Sequence, residues 1–209
     1  MGYILTVAQQ KGGSGKTTLA ANLAVAMRAR GLSVALIDTD PQGSLGRWFL
    51  ERLERVGFDE ELEFSTSSAW GASYESEKLA KRFDLVIIDT PPKIDSDLRP
   101  ALRTASLVLV PVASSHVDLW ATEGVLDLAR REKRAVVIVL NRVRANTRLG
   151  AEVEAAAGEL GAELADIRLA NRVAYAEALG QGRGVADGPA GPARAEIMAL
   201  ADEVLAMLG

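Results

Sequence analysis

The sequence predicts a doubly wound α/β fold, in which a mostly parallel β-sheet carries helices on both faces. Short aliphatic runs alternate along the chain with segments of helical pattern. Most of the aliphatic runs are apolar at consecutive positions, which is typical of strands buried on both faces of a parallel sheet. A glycine-rich loop joins the first predicted strand to the first predicted helix, and folds of this class bind ligands at the carboxyl ends of their strands.

The aliphatic runs predict the strands, and the segments between them predict most of the helices. The predicted strands span residues 3–8, 33–37, 84–88, 107–112, 135–140 and 164–167. The predicted helices span residues 16–30, 45–56, 98–104, 120–131, 148–160, 172–179 and 194–208. Residues 65–76, rich in serine, and 180–192, rich in glycine and proline, are predicted surface loops. Neither loop separates two core-sized segments, so residues 1–209 are predicted to form one domain.

The composition narrows the classes of protein to consider. The chain has no cysteine, which excludes disulfides, thiolate metal sites and iron–sulfur clusters and fits a reducing compartment. No signal-peptide pattern and no apolar run of membrane-spanning length occurs, so we expect a cytoplasmic protein. The net charge of −4 gives no global sign of nucleic-acid binding, so any DNA contact must come from a local basic patch.

The loop between the first strand and the first helix has the features of the phosphate-binding loop of P-loop NTPases. Backbone N–H groups of such a loop cradle phosphate oxygens, and the helix N-terminus adds partial positive charge. Lys16 would reach the β- and γ-phosphates, and the Thr17 hydroxyl would ligate Mg²⁺. Gln10 stands where the standard pattern has glycine, and Lys11 brings a second lysine into the loop. The predicted nucleotide-binding residues of this loop are Gly12, Gly13, Ser14, Gly15, Lys16, Thr17 and Thr18.

Three carboxylates follow predicted strands, where the phosphate loop should also lie. Asp38 and Asp40 follow the second strand, and Asp89 follows the strand at residues 84–88. Phosphoryl transfer needs Mg²⁺, held partly by acidic groups through water, and an oriented attacking water. We therefore assign Asp89 and Asp38 to the magnesium site and Asp40 to the water. The alternative for any one of them is a turn or a helix cap.

These motifs together resemble those of the ParA/MinD family of deviant Walker ATPases. The resemblance rests on residues 11–18, on Asp38-Thr39-Asp40-Pro41-Gln42 and on Asp89. A late segment at residues 167–178 and the final helix extend it over nearly the whole chain. Within the family the chain is most similar to the short ParA-type partition ATPases.

The resemblance implies an ATPase that uses ATP and Mg²⁺ and forms a homodimer with ATP between the two chains. Lys11 would cross to the partner's phosphates, while Lys16 serves the chain's own nucleotide. Asp40 would act in hydrolysis, and Asp89 would be the Walker B acid. Asn141, at the end of the strand at residues 135–140, matches the family's adenine-contacting asparagine. Its alternative is a turn asparagine.

The family also implies binding to DNA without reading its sequence, and the chain offers basic residues for it. Between residues 130 and 148 there are seven basic residues and one acid, Glu132. The candidates for DNA contact are Arg142, Arg168, Arg172 and Arg194, with Arg172 favoured because it lies in the late segment. A solvated face with charges at helix ends is the alternative.

The resulting functional expectation is a positioning ATPase bound to the nucleoid. A partner protein, ParB-like or another adaptor, would stimulate hydrolysis and so release the ATPase from the nucleoid. The positioned cargo would be a plasmid, a chromosome region or a protein cluster. The alternatives are a membrane-cycling division regulator of the MinD type and a P-loop metabolic enzyme. Stable membrane binding is not expected, because the final helix carries Glu196, Asp202 and Glu203, and acidic charge opposes anionic lipid.

Overall fold

The computed structural model describes residues 1–92, 97–113, 115–144 and 147–209. Its strands are β1 (Tyr3–Val7), β2 (Val34–Asp38), β3 (Leu62–Thr66), β4 (Leu85–Asp89), β5 (Leu107–Ala113), β6 (Val136–Asn141) and β7 (Glu163–Leu164). Its α-helices are α1 (Lys16–Ala29), α2 (Ser44–Arg55), α3 (Ala72–Leu79), α4 (Arg99–Thr104), α5 (His116–Arg131), α6 (Arg148–Gly158), α7 (Val173–Gly180) and α8 (Pro192–Leu208).

The described strands form one parallel sheet in the order β3-β2-β4-β1-β5-β6-β7, with β1 near its centre. Side chains at alternate strand positions enter different cores. Leu36 of β2 packs on the face covered by α1, α2, α7 and α8, whereas Ile37 packs on the face covered by α3 and α4. The other half of that second face is covered by α4, α5 and α6. The predicted α/β class, with helices on both faces, is confirmed.

The main correction concerns the segment predicted as a serine-rich loop at residues 65–76. The end of β3, a short 3₁₀ helix at Ala69–Gly71 and the first half of α3 occupy it. β3 and α3 were missed because both are short and partly polar, and β3 is an edge strand with one half-exposed face. The glycine-rich segment 180–192 is also more than a surface loop, since Val185 and Ala186 are buried in the core beside α1.

Smaller differences lie at element ends. Helix α5 begins at His116 rather than at residue 120, because the Ser115 hydroxyl accepts the Asp118 N–H and caps the first turn. Strand β7 lies at Glu163–Leu164 rather than at residues 164–167. The proposal that residues 1–209 form one domain stays a prediction.

Helix α8 packs against the sheet face that also carries α1. Ile197, Leu200 and Val204 are buried in that core. Its acids are used internally: Asp202 pairs with Arg30, and Glu203 accepts the backbone N–H groups of residues 166 and 167. Across the ranges that the structure describes, no helix combines the length and the apolarity needed to cross a membrane.

The sheet register places the predicted site residues side by side. Asp38, the last residue of β2, lies opposite Asp89, the last residue of β4. Asp89 also lies opposite Val7, the last residue of β1, and the phosphate loop follows directly. Asn141 ends β6 at the same edge of the sheet. Parallel strands therefore bring the loop, two acids and an amide to one edge.

Leu36→Ala is expected to lower the free energy of unfolding by about 2–5 kcal/mol, because it leaves a cavity at a fully buried position in β2. The matched control is Leu50→Ala, on the outer face of α2, where the side chain is 62% exposed. That change should stay within about 0.5 kcal/mol. Urea denaturation followed by circular dichroism measures both, and equal losses would contradict the packing described above.

Candidate nucleotide site

The phosphate loop runs from the end of β1 to the start of α1 and has two glycines in left-handed conformations. Gly13 has φ 78° and Gly15 has φ 92°. A Cβ at Gly15 would lie 2.4 Å from the Asn141 amide nitrogen, so both the backbone and its surroundings require glycine there. Gly15 is also the N-cap of α1 and supplies no side-chain acceptor, which leaves the first N–H groups of the helix to bind an anion.

Lys16 is the first residue of α1 and is buried within the loop. Its Nζ lies 3.5 Å from the carbonyl oxygen of Lys11, a long contact that holds the chain across the loop. Burial lowers the pKa of Lys16, while the Asp89 and Asp40 carboxylates oppose that shift. A buried cation with so little hydrogen bonding is well placed to receive phosphate oxygens.

Asp89 and Thr17 are joined by a short hydrogen bond. The Thr17 hydroxyl donates to Asp89 Oδ2 at 2.6 Å, while Asp89 Oδ1 is buried without a partner among the described residues. Burial raises the pKa of Asp89 to about 7, and the neighbouring Asp38 adds to the rise. The positive charge of Lys16 opposes this rise.

Asp38 is held by backbone donors. It accepts the N–H of Asp40 at 3.0 Å and the N–H of Gly46 at 3.1 Å. Burial raises the pKa of Asp38, and these hydrogen bonds oppose the shift. The second bond ties the end of β2 to the first turn of α2.

Asp40 lies further out and serves locally as a turn residue. Its Oδ1 accepts the N–H of Gln42 at 2.9 Å. It lines a cavity of about 570 Å³ together with Asp38, Pro41 and Trp70. The turn that was the alternative for this aspartate is therefore present, and the side chain still borders open space beside the loop.

The oxygen donors fit Mg²⁺ if phosphate oxygens complete its coordination. Over the described residues, no group of three or more His, Cys, Asp or Glu side chains could hold a metal ion by itself. The Thr17 hydroxyl and the unpartnered Asp89 oxygen are hard ligands beside the loop, which is the donor chemistry that Mg²⁺ prefers. Magnesium bound in this way would depend on the nucleotide.

Lys11 is held within its own chain. Its Nζ lies 2.9 Å from Oδ2 of Asp118, a buried carboxylate in the first turn of α5. The Ser115 hydroxyl donates to the same oxygen. Gln9, two residues earlier, donates to the hydroxyl of Thr122, which in turn donates to the Asp118 carbonyl. The start of the loop is thus bonded to α5 through a small polar network.

Asp118 and Gln9 were not predicted from the sequence. The pattern Ser115-x-x-Asp118 indicates a helix cap, and the structure shows that cap. Only the packing of α5 against β5, the strand next to β1, shows that the same aspartate also holds Lys11. Gln9 offered no signal beyond its place next to the loop.

Asn141 is buried and contacts the phosphate loop. Its amide nitrogen donates to the carbonyl oxygen of Ser14 at 2.9 Å. It also lines a cavity of about 690 Å³ with Thr18, Trp48 and Tyr175. This cavity adjoins the first turn of α1 and is large enough for a nucleoside. The adenine contact of Asn141 stays a prediction.

Of the four arginines predicted to contact DNA, one lies against the phosphate loop and three line two cavities away from it. Arg142 donates to the carbonyl oxygen of Gly13 at 2.9 Å, on the phosphate loop. Arg168 pairs with Glu154, and Arg172 pairs with Glu196 at 2.6 Å. These two arginines share the wall of one cavity, and a second cavity is lined by Arg172, Arg183 and Arg194. Arg172 thus joins two basic surfaces, and its DNA role stays a prediction.

Three of the other six basic residues at positions 130–148 are engaged internally. Arg130 pairs with Asp127, Arg148 pairs with Glu152, and Arg134 donates to carbonyl oxygens of residues 103 and 105. The sequence count of basic residues therefore overstates the free positive charge of this region.

Comparison with known proteins places the fold and the loop in one family. The family described as "CobQ/CobB/MinD/ParA nucleotide binding domain" matches residues 5–185 of the chain. Among curated proteins, "Maintenance of carboxysome distribution protein A" of Halothiobacillus neapolitanus is 27% identical, with 86% of this chain and 85% of that protein covered. "Chromosome-partitioning ATPase Soj" of Thermus thermophilus is 30% identical, with 97% and 95% covered.

Two solved structures show the same fold at low sequence identity. The Cyanothece McdA(D38A)-ATP complex superposes with a TM-score of 0.80 at 20% identity, covering 98% of this chain and 96% of the other. The Pyrococcus furiosus cell division ATPase MinD superposes with a TM-score of 0.83 at 21% identity, covering 99% of this chain and 100% of the other.

Lys11 and Asp118 are expected to stabilise the nucleotide-free chain as a pair. A double-mutant cycle of Lys11→Met and Asp118→Asn should give a coupling of about 1–3 kcal/mol in the free energy of unfolding, because the carboxylate is buried and loses its cation. The exposed pair Lys78–Glu75 is the control and should couple by less than about 0.5 kcal/mol. A coupling at Lys11–Asp118 no larger than the control would show that the contact contributes little.

Proposed function

The chain belongs to the CobQ/CobB/MinD/ParA nucleotide-binding family, and from that premise we propose that it is a ParA-type positioning ATPase. It dimerises on ATP, binds DNA without sequence specificity and positions a cargo, and a partner protein stimulates hydrolysis. The observation that carries the proposal is a phosphate loop with two lysines, Lys11 and Lys16, placed beside Thr17 and Asp89.

Nucleotide binding follows from the loop itself. Its N–H groups and the N-terminus of α1 receive the phosphates, and Lys16 adds a buried positive charge. The Thr17 hydroxyl is held by Asp89 and would ligate the magnesium ion that accompanies the nucleotide. Mg²⁺, when bound with the nucleotide, neutralises developing charge on the phosphates.

Hydrolysis needs a positioned water at the exposed side of the site. Asp40 borders the cavity beside the loop and is held by its own turn, so its remaining oxygen can accept a hydrogen bond from water. Asp38 keeps this segment attached to β2 and α2 through its two backbone bonds. Asp40 would thus orient the attacking water.

In the proposed ATP-bound dimer, Lys11 contacts the nucleotide of the partner chain. Lys11 lies at the start of the loop with a side chain that is 37% exposed, so it can be reached by another chain. A lysine is a compact charge and can neutralise phosphate from across an interface, as an arginine finger does. For this role Lys11 must leave Asp118, so the intramolecular pair is the form of the separate chain.

DNA binding would use the basic surfaces around Arg172. Arg168, Arg172 and Arg194 line two adjoining cavities, and a dimer would present two such sets. If each chain contacts about three phosphates, the dimer contacts about six, and each phosphate contributes about 0.9 to the salt slope. Two linked sites also gain avidity, so dimerisation alone can turn DNA binding on.

The cargo is a plasmid, a chromosome region or a large protein cluster. Similarity to a carboxysome distribution protein and to a chromosome-partitioning ATPase supports this range. In this proposal the chain works in the cytoplasm on the nucleoid, and a ParB-like or other adaptor stimulates its hydrolysis.

Lys16→Ala is expected to weaken ATP binding at least about 100-fold, because a charge-assisted contact to the phosphates worth ~3 kcal/mol is lost. Titration with a fluorescent ATP analogue measures the affinity. Lys78→Ala, on the outer face of α3, is the matched control and should bind as the wild type does. If the Lys16 variant binds ATP as tightly as the wild type, the loop does not bind the nucleotide's phosphates as proposed.

Asp40→Ala should retain ATP binding and accumulate as a dimer, since the water is no longer oriented and the nucleotide that joins the chains persists. Light scattering after size-exclusion chromatography with ATP and Mg²⁺ reports the mass. Asp127→Ala, at an exposed position of α5, is the control and should hydrolyse ATP normally. A monomeric Asp40 variant with bound ATP would contradict the role of Asp40.

Co-sedimentation with DNA and with anionic vesicles, each with ATP and with ADP, separates the proposed function from its alternatives. ATP-dependent pelleting with DNA alone is expected, and a salt titration should show a steeper slope for the ATP form. Pelleting with vesicles would favour a membrane-cycling regulator. Binding to neither, or equal DNA affinity with both nucleotides, would contradict the proposal.

A further inference from the structure

Two consecutive residues at the end of β6 bond to two consecutive carbonyl groups of the phosphate loop. The amide nitrogen of Asn141 donates to the Ser14 oxygen, and Nη1 of Arg142 donates to the Gly13 oxygen, each at 2.9 Å. Neither the predicted adenine contact of Asn141 nor the predicted DNA contact of Arg142 accounts for these bonds. They act on the part of the loop that should contact phosphate.

The geometry of the peptide unit shows what the two bonds do. In a trans peptide, the C=O of one residue and the N–H of the next point in opposite directions. Drawing the Gly13 carbonyl toward Arg142 therefore turns the Ser14 N–H away from β6. Drawing the Ser14 carbonyl toward Asn141 does the same for the Gly15 N–H. Successive N–H groups turned to one side form an anion-binding concavity.

We propose that Asn141 and Arg142 are positioning residues that aim the Ser14 and Gly15 amides at the nucleotide's phosphates before it binds. The proposal rests on the proposed nucleotide-binding function and adds residues to that site. Preorganised donors lose no energy to reorientation when the anion arrives, so this pair raises affinity for the phosphate chain and not for the base.

The backbone of the pair is itself held in an uncommon conformation. Arg142 has φ 56°, in the left-handed region that residues with a Cβ rarely adopt. The Asn141 Oδ1 accepts the Arg142 N–H at 3.0 Å and stabilises this turn. Such conformations persist where the surroundings require them. Here the turn directs both side chains back to the loop, and Gly15 is the residue that leaves room for Asn141.

The charge of Arg142 supports the same assignment. Arg168 and Arg172 each pair with a carboxylate, whereas no ion pair of Arg142 occurs within the described ranges. Its side chain borders the 690 Å³ cavity beside α1 and also the cavity that contains Lys11. An uncompensated guanidinium at the loop raises the local positive potential for an incoming polyphosphate.

The test uses a ligand that has phosphates but no base. Binding of inorganic tripolyphosphate and of ATP, each with Mg²⁺, is measured by calorimetry for the wild type, Asn141→Ala, Arg142→Ala and Arg142→Lys. The control is Arg144→Ala, which removes a charge from the same Lys11-containing cavity. Thermal unfolding shows that each variant is folded. Because Arg142 is exposed, its two variants are less apt to disturb folding than a variant of the buried Asn141.

Asn141→Ala and Arg142→Ala are each expected to weaken both ligands by the same factor, about 10-fold, consistent with one lost hydrogen bond to a buried or charged group. Arg142→Lys should recover part of the loss, and Arg144→Ala should stay within about twofold of the wild type. Weaker ATP binding with unchanged tripolyphosphate binding, together with a lost preference for ATP over GTP, would overturn the proposal and make Asn141 a base contact.

The remaining outcomes separate this inference from the proposed function. If the wild type binds both ligands and the two alanine variants bind as it does, the positioning role is overturned and nucleotide binding stands. If the wild type binds neither ligand, the nucleotide-binding function is overturned, and the positioning role is overturned with it.

Discussion

The contact between Thr17 and Asp89 is the interaction on which the rest of the site depends. It joins the start of α1 to the end of β4 and buries a carboxyl whose pKa burial raises to about 7. A buried acid with one unpartnered oxygen is costly unless a cation or donor arrives. The electrostatics of this site therefore favour a bound cation. A nucleotide held by the neighbouring phosphate loop would bring such a cation as Mg²⁺.

Three of the cations proposed to act outside the chain form ion pairs inside it. Lys11 pairs with Asp118, Arg168 with Glu154 and Arg172 with Glu196. The proposed dimerisation, and DNA binding through Arg168 and Arg172, would therefore require these side chains to exchange partners. The exposed arginine pairs are weak and easily exchanged, whereas Asp118 is buried and would be left without a cation. The intramolecular pairs thus favour the separate chain when no nucleotide is present.

The central strands and the helices that follow them were predictable because their signals are local. Consecutive aliphatic residues in β1, β2, β4, β5 and β6 leave little alternative to a buried parallel strand. The edge strand β3 and the helix α3 that follows it were not predictable in the same way. β3 has a half-exposed pattern, and α3 is short and rich in polar residues, so their structure depends on pairing with β2 and on packing against α4. Local propensity is too weak to decide such elements.

The sequence by itself determined the chemistry of the site: a glycine loop with Lys16 and Thr17, acids at strand ends and a second lysine at position 11. These are decided locally, because the loop lies between a strand and a helix and the acids directly follow strands. Only the tertiary structure decided which side chains contact one another within the site. Asp118 lies 107 residues from Lys11, and Arg142 lies 129 residues from Gly13. Contacts at such separations depend on how strands are ordered in the sheet, and no local pattern encodes that order.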